Sequence, residues 1–369
     1  MAKKKNPLHP FLGVDLSDWL GLLIRHGGVG RHALAPALQI SAFSSALILP
    51  KLWERARYDR AIAATEVRHP PLFVLGHWRS GTTFLHNLLS QDPQLGYLSA
   101  IQSAFPNLFL TFEPLLSQLL PERRRLMDNV RMSASVPSEE EIAMAVMAPG
   151  SFWHGYYFTD SMDEYFDRYV MFEGLDADLL SEWKHAYLWL IKKLTLRYGG
   201  KRLVLKNPAN TARVRMLLEL FPDARFVHIY RDPYDVYLSR MSQFESAVKW
   251  KALHRISREQ WEERCFRYYR ALMDRLIEET PDIPPGRYTE LSFESLRSDP
   301  LNKLESIYRD LSLPGWAEAS PHFERHLSGV RDYEQNRYQM DPALARRIES
   351  EWGAYIDRWE YPRRTAISA

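Results

Sequence analysis

The chain has 369 residues, enough for one large α/β domain or two modest ones. Lys plus Arg (48) nearly cancel Asp plus Glu (46), leaving a formal charge of +2. That balance gives no general basic field of the kind that attracts nucleic acid, so any anion site has to be built locally. The single cysteine, Cys265, excludes an intramolecular disulfide framework and a multi-cysteine metal site, and it fits a reducing, cytoplasmic compartment.

Residues 1–68 read as a helical N-terminal extension, and residues 69–369 as an α/β domain. The extension opens Met-Ala-Lys-Lys-Lys without an apolar run directly behind it, so no cleaved signal peptide is expected. Residues 33–50 carry no charge and reach about the shortest length that spans a bilayer. Pro36, Gln39 and three serines inside that stretch favour a buried or membrane-surface helix instead. The lysines at 3–5 read as a solvated tail able to assist peripheral contact with an anionic membrane surface.

The pattern changes at Pro-Leu-Phe-Val-Leu, residues 71–75, an apolar run closed by Gly76 that fits a buried parallel strand. A turn of small residues follows, then helical spacing over 83–89. The same unit recurs: a strand at 202–205 with a helix over 211–220, then a strand at 225–230 with a turn at Asp232-Pro233 and a helix over 234–242. Alternation of this kind predicts a P-loop-like parallel sheet flanked by helices. Residues 110–198, 258–279 and 342–355 read as mostly helical, so the α/β domain carries helical insertions.

The segment Gly76-His77-Trp78-Arg79-Ser80-Gly81-Thr82-Thr83 lies between a predicted strand and a predicted helix start. Its backbone N–H groups can converge on an anion, helped by the helix dipole. Gly81 permits the tight path. Ser80, Thr82 and Thr83 add hydroxyls, and Arg79 adds a guanidinium fork matched to phosphate oxygens. It is not a Walker A loop, because Gly81 is followed by Thr82 where that motif requires lysine. Downstream, Arg231 ends a strand and Ser239 follows eight residues later, about two helical turns on, so the two can close on one phosphate from two sides.

These segments resemble the sulfotransferases that use 3′-phosphoadenosine 5′-phosphosulfate (PAPS), in the branch whose loop reads Arg-Ser-Gly-Thr-Thr, found in tyrosylprotein and many bacterial sulfotransferases. The resemblance implies that Arg79, Ser80, Gly81, Thr82 and Thr83 hold the 5′-phosphosulfate, and that Arg231 and Ser239 hold the 3′-phosphate. Leu-Val-Leu-Lys-Asn-Pro at 203–208 resembles the family's strand that ends in a lysine, which makes Lys206 a catalytic candidate beside the loop. Tyr288, followed by Glu290 and Leu291, resembles the family's nucleotide-contacting tyrosine. The matches run from about residue 71 to 300. The family's cytosolic members carry lysine where this chain has Arg79, and its tyrosylprotein branch has a glutamate after the first helix where residues 92–100 here have none.

Sulfuryl transfer, like phosphoryl transfer, is mainly positioning and charge stabilisation, and no metal is implied. An acceptor hydroxyl also needs a general base. The run Ser138-Glu139-Glu140-Glu141 opens a predicted helix, with Ser138 and Glu141 spaced as a capping box. Glu139 then falls on the face of Ile142 and Val146 and is the first candidate base, with Glu140 the second. His86 and His228 read as packed core histidines. The aromatics at 152, 153, 156, 157 and 158 read as core more often than as an acceptor pocket. The activity expected is sulfuryl transfer from PAPS, with 3′-phosphoadenosine 5′-phosphate (PAP) as product, to a hydroxyl or amine of a small-molecule, lipid or carbohydrate acceptor. The alternatives are a nucleotide-dependent kinase and a non-catalytic PAP- or lipid-binding protein on the same scaffold.

Overall fold

Four apolar residues in succession, Leu72–Leu75, form strand β1, and all four are fully buried, as a central parallel strand requires. The structure, a computed structural model, describes residues 10–118, 123–124, 131–148, 150–248, 252–329 and 340–364; the lysines at 3–5 lie outside them. A two-residue strand, β2 (Leu95–Gly96), follows, then a short antiparallel pair, β3 (Arg123–Arg124) with β4 (Arg131–Met132). The remaining strands are β5 (Arg202–Lys206), β6 (Arg225–Tyr230) and β7 (Tyr288–Ser292). Five of them make one sheet in the order β2-β5-β1-β6-β7, every pair parallel. Val74 lies opposite Lys206 and Leu75 opposite His228, so β1, β5 and β6 end on one edge of the sheet. In open α/β sheets that carboxyl edge is where ligands bind.

The expected strands and helices are present, with one shift. The helix expected over 211–220 begins at Val214 and is preceded by a 3-10 turn, Pro208–Ala212. The Asn207 side chain accepts a hydrogen bond from the Ala209 N–H at 3.1 Å, and Pro208 takes the first position, which winds the chain tightly before the α-helix starts.

The chain packs into two compact units. One holds Met1–Arg68, Tyr97–Lys201 and Lys251–Arg255; the other holds His69–Gly96, Arg202–Trp250 and Ile256–Ala369, with the whole five-stranded sheet. The division expected after residue 68 coincides with one of these boundaries, and the first unit also takes in the helical stretch Tyr97–Lys201.

In the first unit, helices Leu16–Arg25 and Leu34–Ala46 pack around a core that includes Phe11, Trp19, Ile40, Phe105, Tyr157 and Phe158. Phe152, Tyr157 and Phe158 are buried, and Trp153 and Tyr156 pack partly buried against the same cluster, so these aromatics serve the core. A buried ion pair, Glu54 to Lys193 at 2.6 Å, joins helix Ile48–Ala64 to helix Ala177–Arg197. Glu54 also accepts from the N–H groups of Leu110 (3.2 Å) and Thr111 (2.9 Å), and Lys193 donates to the Pro106 carbonyl at 2.7 Å. Removing such charges from water is tolerable only with this degree of pairing.

Candidate active site

The loop after β1 is shaped by two glycines. Gly76 has φ +144°, and a Cβ there would lie 2.4 Å from the Ile229 carbonyl oxygen, so only glycine lets the chain pass this close to β6. Its N–H donates to the Thr211 hydroxyl at 2.8 Å. Ser80 folds the turn back, donating to the His77 carbonyl from its N–H (3.1 Å) and from its hydroxyl (2.8 Å). Arg79 sits at φ 75°, a left-handed conformation that costs a non-glycine residue on the order of 1–3 kcal/mol and collects at ligand-binding turns. Gly81, at φ 100°, then starts the helix Thr82–Leu89; a Cβ on it would meet the Phe293 ring at 2.3 Å. The first N–H groups of such a helix have no partner within it and face the turn.

The other candidate side chains gather on this loop. Arg79 Nε donates to the Ser239 hydroxyl at 2.8 Å, and Arg231 Nη1 to the Arg79 carbonyl at 3.4 Å. Lys206 Nζ donates to the Thr83 hydroxyl at 3.3 Å from the end of β5. Arg231 is anchored by Asp235 at 3.2 Å, and its guanidinium lies 4.9 Å over the Phe293 ring. Its side chain is only 10% exposed, and Nε is buried with no hydrogen-bond partner among the described residues. An orphaned buried cation donor next to a strained turn suits an anionic ligand.

His86 is fully buried and bonded through Nε2 to the Val204 carbonyl at 3.3 Å. Burial, with the charge of Lys206 a lesser cause, pushes its pKa down to about 3, so it packs as a neutral ring. His228 is held between β6 and β7 by Glu290 at 3.2 Å. Both are buried, each at 1% exposure.

Tyr288 is not brought to the loop. It opens β7 opposite Phe226, four residues and ~13 Å along the strand from Ser292 at the carboxyl edge, and its hydroxyl donates to Glu290 at 3.1 Å. The aromatic beside the loop is Phe293, the first residue after β7. It lines, with Glu294, Arg297 and Ser298, an open cavity of about 280 Å³. Phe293-Glu294-Ser295-Leu296 has an aromatic, an acid and a leucine in the same order as Tyr288-Thr289-Glu290-Leu291. That second copy of the pattern is the signal that could have found it. Thr211 had no such signal: its contact with Gly76 joins residues 135 positions apart.

The candidate bases lie in the first unit, at the helix Glu140–Met147. The capping box expected between Ser138 and Glu141 is not formed. Glu139, not Ser138, is the N-cap, with no side-chain capping bond, and the Ser138 hydroxyl pairs with Ser103 at 2.8 Å. Glu141 instead accepts from the Ser151 hydroxyl (2.8 Å) and the Phe152 N–H (2.9 Å), capping the next short helix, Phe152–Gly155. Glu139 has extended backbone at φ −99° and ψ 136°, so it does not lie on a helical face with Ile142 and Val146. Glu140 and Glu141 are both buried, at 0% and 1% exposure, and Glu139 is half-buried. Among the described residues no cluster of His, Cys, Asp and Glu is arranged to hold a metal ion.

A model of the Sulfotransferase family matches residues 70–318, which take in β1, the glycine loop, Lys206, Arg231, Ser239 and Phe293. The chain is 30% identical over 359 residues to the ω-hydroxy-β-dihydromenaquinone-9 sulfotransferase Stf3 of Mycobacterium bovis, covering 96% of this chain and 92% of the relative. The crystal structure of sulfotransferase STF1 from Mycobacterium tuberculosis superposes with a TM-score of 0.64 at 18% identity, covering 92% of each chain. STF9 from Mycobacterium avium gives 0.62 at 16% identity, covering 94% of this chain and 96% of the other. The two superpositions speak to the fold, while the family match spans the loop and the strand ends assembled above. On that match and the mycobacterial relative together, the chain belongs to the sulfotransferase family and is an enzyme of that class.

Proposed function

We propose that this sulfotransferase takes its sulfuryl group from PAPS and delivers it to a hydroxyl or amine of a small, apolar acceptor. The observation that carries the donor assignment is the convergence of Arg79, Lys206, Arg231 and Ser239 on one glycine-shaped loop at the carboxyl edge of the sheet. In this reading the loop from Arg79 to Thr83 receives the phosphosulfate end, Arg231 and Ser239 receive the 3′-phosphate, and Phe293 replaces Tyr288 as the aromatic against the base. Lys206 stabilises charge on the leaving phosphate as the S–O bond to it breaks. An acceptor oxygen forms the new S–O bond, and its proton passes to a general base, for which Glu140, the more buried of the two, is the first candidate and Glu139 the second. An apolar, lipid-like acceptor is favoured by the named substrate of the Mycobacterium bovis relative, a hydroxylated menaquinone derivative.

The test is calorimetry and radiolabel transfer without added metal. Wild type should bind PAP, and Arg231→Ala should weaken PAP by ~10–100-fold while leaving adenosine 5′-phosphosulfate, which lacks the 3′-phosphate, within about threefold. Lys206→Ala should lower kcat with little change in PAP affinity. Equal losses for both nucleotides in Arg231→Ala would remove the 3′-phosphate assignment. Tight Mg²⁺-dependent ATP binding in place of PAP would indicate a kinase-like donor.

A further inference from the structure

The exposed large apolar residues of this protein are concentrated in its N-terminal helices. Helices Leu34–Ala46 and Ile48–Ala64 run on from each other, the pair bent by 44° at the break, and no single described helix is long and apolar enough to cross a membrane. Along the pair, Leu34, Leu38, Ala42, Ala46, Leu49 and Trp53 are all exposed, spaced by four, four, four, three and four residues. Within each helix that spacing keeps them on one side, Leu34, Leu38, Ala42 and Ala46 on the first and Leu49 and Trp53 on the second. Leu38 is 71% exposed, Leu49 76% and Trp53 60%. Leu20 and Ile24 of the adjoining helix Leu16–Arg25, four residues apart, are exposed as well, Ile24 by 82%.

The charges of the segment make the pattern sharper. Between residues 33 and 54 only Lys51 and Glu54 are charged, and both turn inward. Lys51 donates to Asp15 at 2.5 Å and to the Val14 carbonyl at 2.9 Å; Glu54 is held by Lys193. A helix facing water normally does the reverse, with charge outward and leucine inward. A contiguous apolar surface without charge marks an interaction site. Charge returns at both ends of the ridge as exposed arginines: Arg25 and Arg31 at one end, Arg55, Arg57 and Arg60 at the other. The nearby acids are fewer, and one of them, Asp59, is paired with Arg55 at 3.5 Å.

We propose that this ridge docks the protein on an anionic lipid bilayer surface, with Leu38, Leu49 and Trp53 entering the headgroup–acyl boundary and the flanking arginines contacting lipid phosphates. Apolar burial at the interface combined with arginine–anion attraction holds a peripheral protein on an anionic bilayer. The helices lie along the surface and do not span it, because a span would pull Lys51 and Glu54 away from Asp15 and Lys193. Docking deepens the apolar-acceptor reading, since it brings the enzyme to the phase in which such an acceptor dissolves, yet it is measured without donor or acceptor.

The experiment is co-flotation of the full chain, free of nucleotide, with vesicles of phosphatidylcholine and phosphatidylglycerol at 7:3, against pure phosphatidylcholine. Wild type should float with the anionic vesicles, and raising the salt should weaken binding. Leu38→Glu/Leu49→Glu should lower partitioning at least tenfold while keeping the wild-type melting temperature and PAP affinity, because both side chains are exposed. Arg55→Glu/Arg57→Glu should abolish the preference for phosphatidylglycerol. Wild type that ignores both vesicles, or a leucine variant that binds as wild type does, overturns the proposal. A dimer in light scattering that the leucine substitutions dissolve, without vesicle binding, makes the ridge a self-interface and also overturns it. Resistance to alkaline carbonate extraction would replace surface docking with a span. Failure of PAP binding in wild type, with flotation intact, would strike the donor assignment alone.

Discussion

Glu139, Glu140 and Glu141 are adjacent acids with three different surroundings, and substitution should separate their roles. Glu141 holds the Ser151 hydroxyl and the Phe152 N–H at the start of the next helix. Glu141→Ala should therefore lower stability by about 1–3 kcal/mol in denaturant unfolding, the cost of stranding buried donors. Glu140→Gln keeps the shape of the buried side chain. If Glu140 is the base, this variant should fold and bind PAP normally and lose 10²–10⁴-fold in turnover, in the general range of acid–base catalysis. Glu139→Gln should remain close to wild type. A dead Glu139→Gln beside an active Glu140→Gln would return the role to Glu139. Activity in both would place the base outside this helix start.

At the scale of elements, the glycine loop and the buried ion pair show how few contacts position long stretches of chain. Gly81→Ala adds a methyl group 2.3 Å from the Phe293 ring at a φ of 100°. Shrinking Phe293 removes the first problem and not the second, so Gly81→Ala/Phe293→Leu should recover stability only in part, as read by thermal melting. In the first unit, Glu54 caps the backbone at Leu110 and Thr111 and neutralises Lys193, whose pKa is already lowered by burial and only partly restored by Glu54. Glu54→Ala leaves a buried lysine uncompensated and should cost about 3–5 kcal/mol in urea unfolding. Glu54→Ala/Lys193→Met should regain much of that loss, because it removes both charges.

Across the whole molecule, buried histidines make stability depend on pH. His154 in the first unit is pushed down to about 4, chiefly by burial. His86 in the second is pushed down to about 3 by burial and then by Lys206, and His77 is held well below its ordinary value by burial and then by Arg240. Each has a folded pKa below the unfolded value near 6.5, so between those values the unfolded chain binds the extra proton. Their contribution is thus complete above about pH 6.5 and falls as the pH drops toward 4. The slope is about 1.4 kcal/mol per pH unit for each such group. Urea midpoints at pH 7.5 and 5.0 should show the decline, and His86→Leu should shrink the difference between the two pH values. An unchanged difference would mean that His86 is not the neutral buried ring described here.

What the sequence determined by itself was whatever depends on neighbours along the chain. Short, mostly apolar runs placed β1, β5 and β6, and helical spacing placed the helix over 258–279. The glycine turn between β1 and its helix was legible because backbone conformation there is a property of single residues. Lys206, Arg231 and Ser239 could be named by their positions at strand ends or in the next helix, but not their convergence on Arg79 and Thr83, which required parallel pairing of distant strands. Tertiary structure alone placed Phe293, and not Tyr288, beside the glycine loop, because two segments with similar local patterns lie at opposite ends of β7. It also overturned the capping box at Ser138, since Ser103 and Ser151, remote in sequence, took the groups that a local rule had assigned to each other. The uncharged stretch in residues 33–50 was visible as composition. Which of its faces met water was settled only when Asp15 and Lys193 drew the two neighbouring charges inward, because paired burial of a charge is decided by partners that the local sequence does not contain.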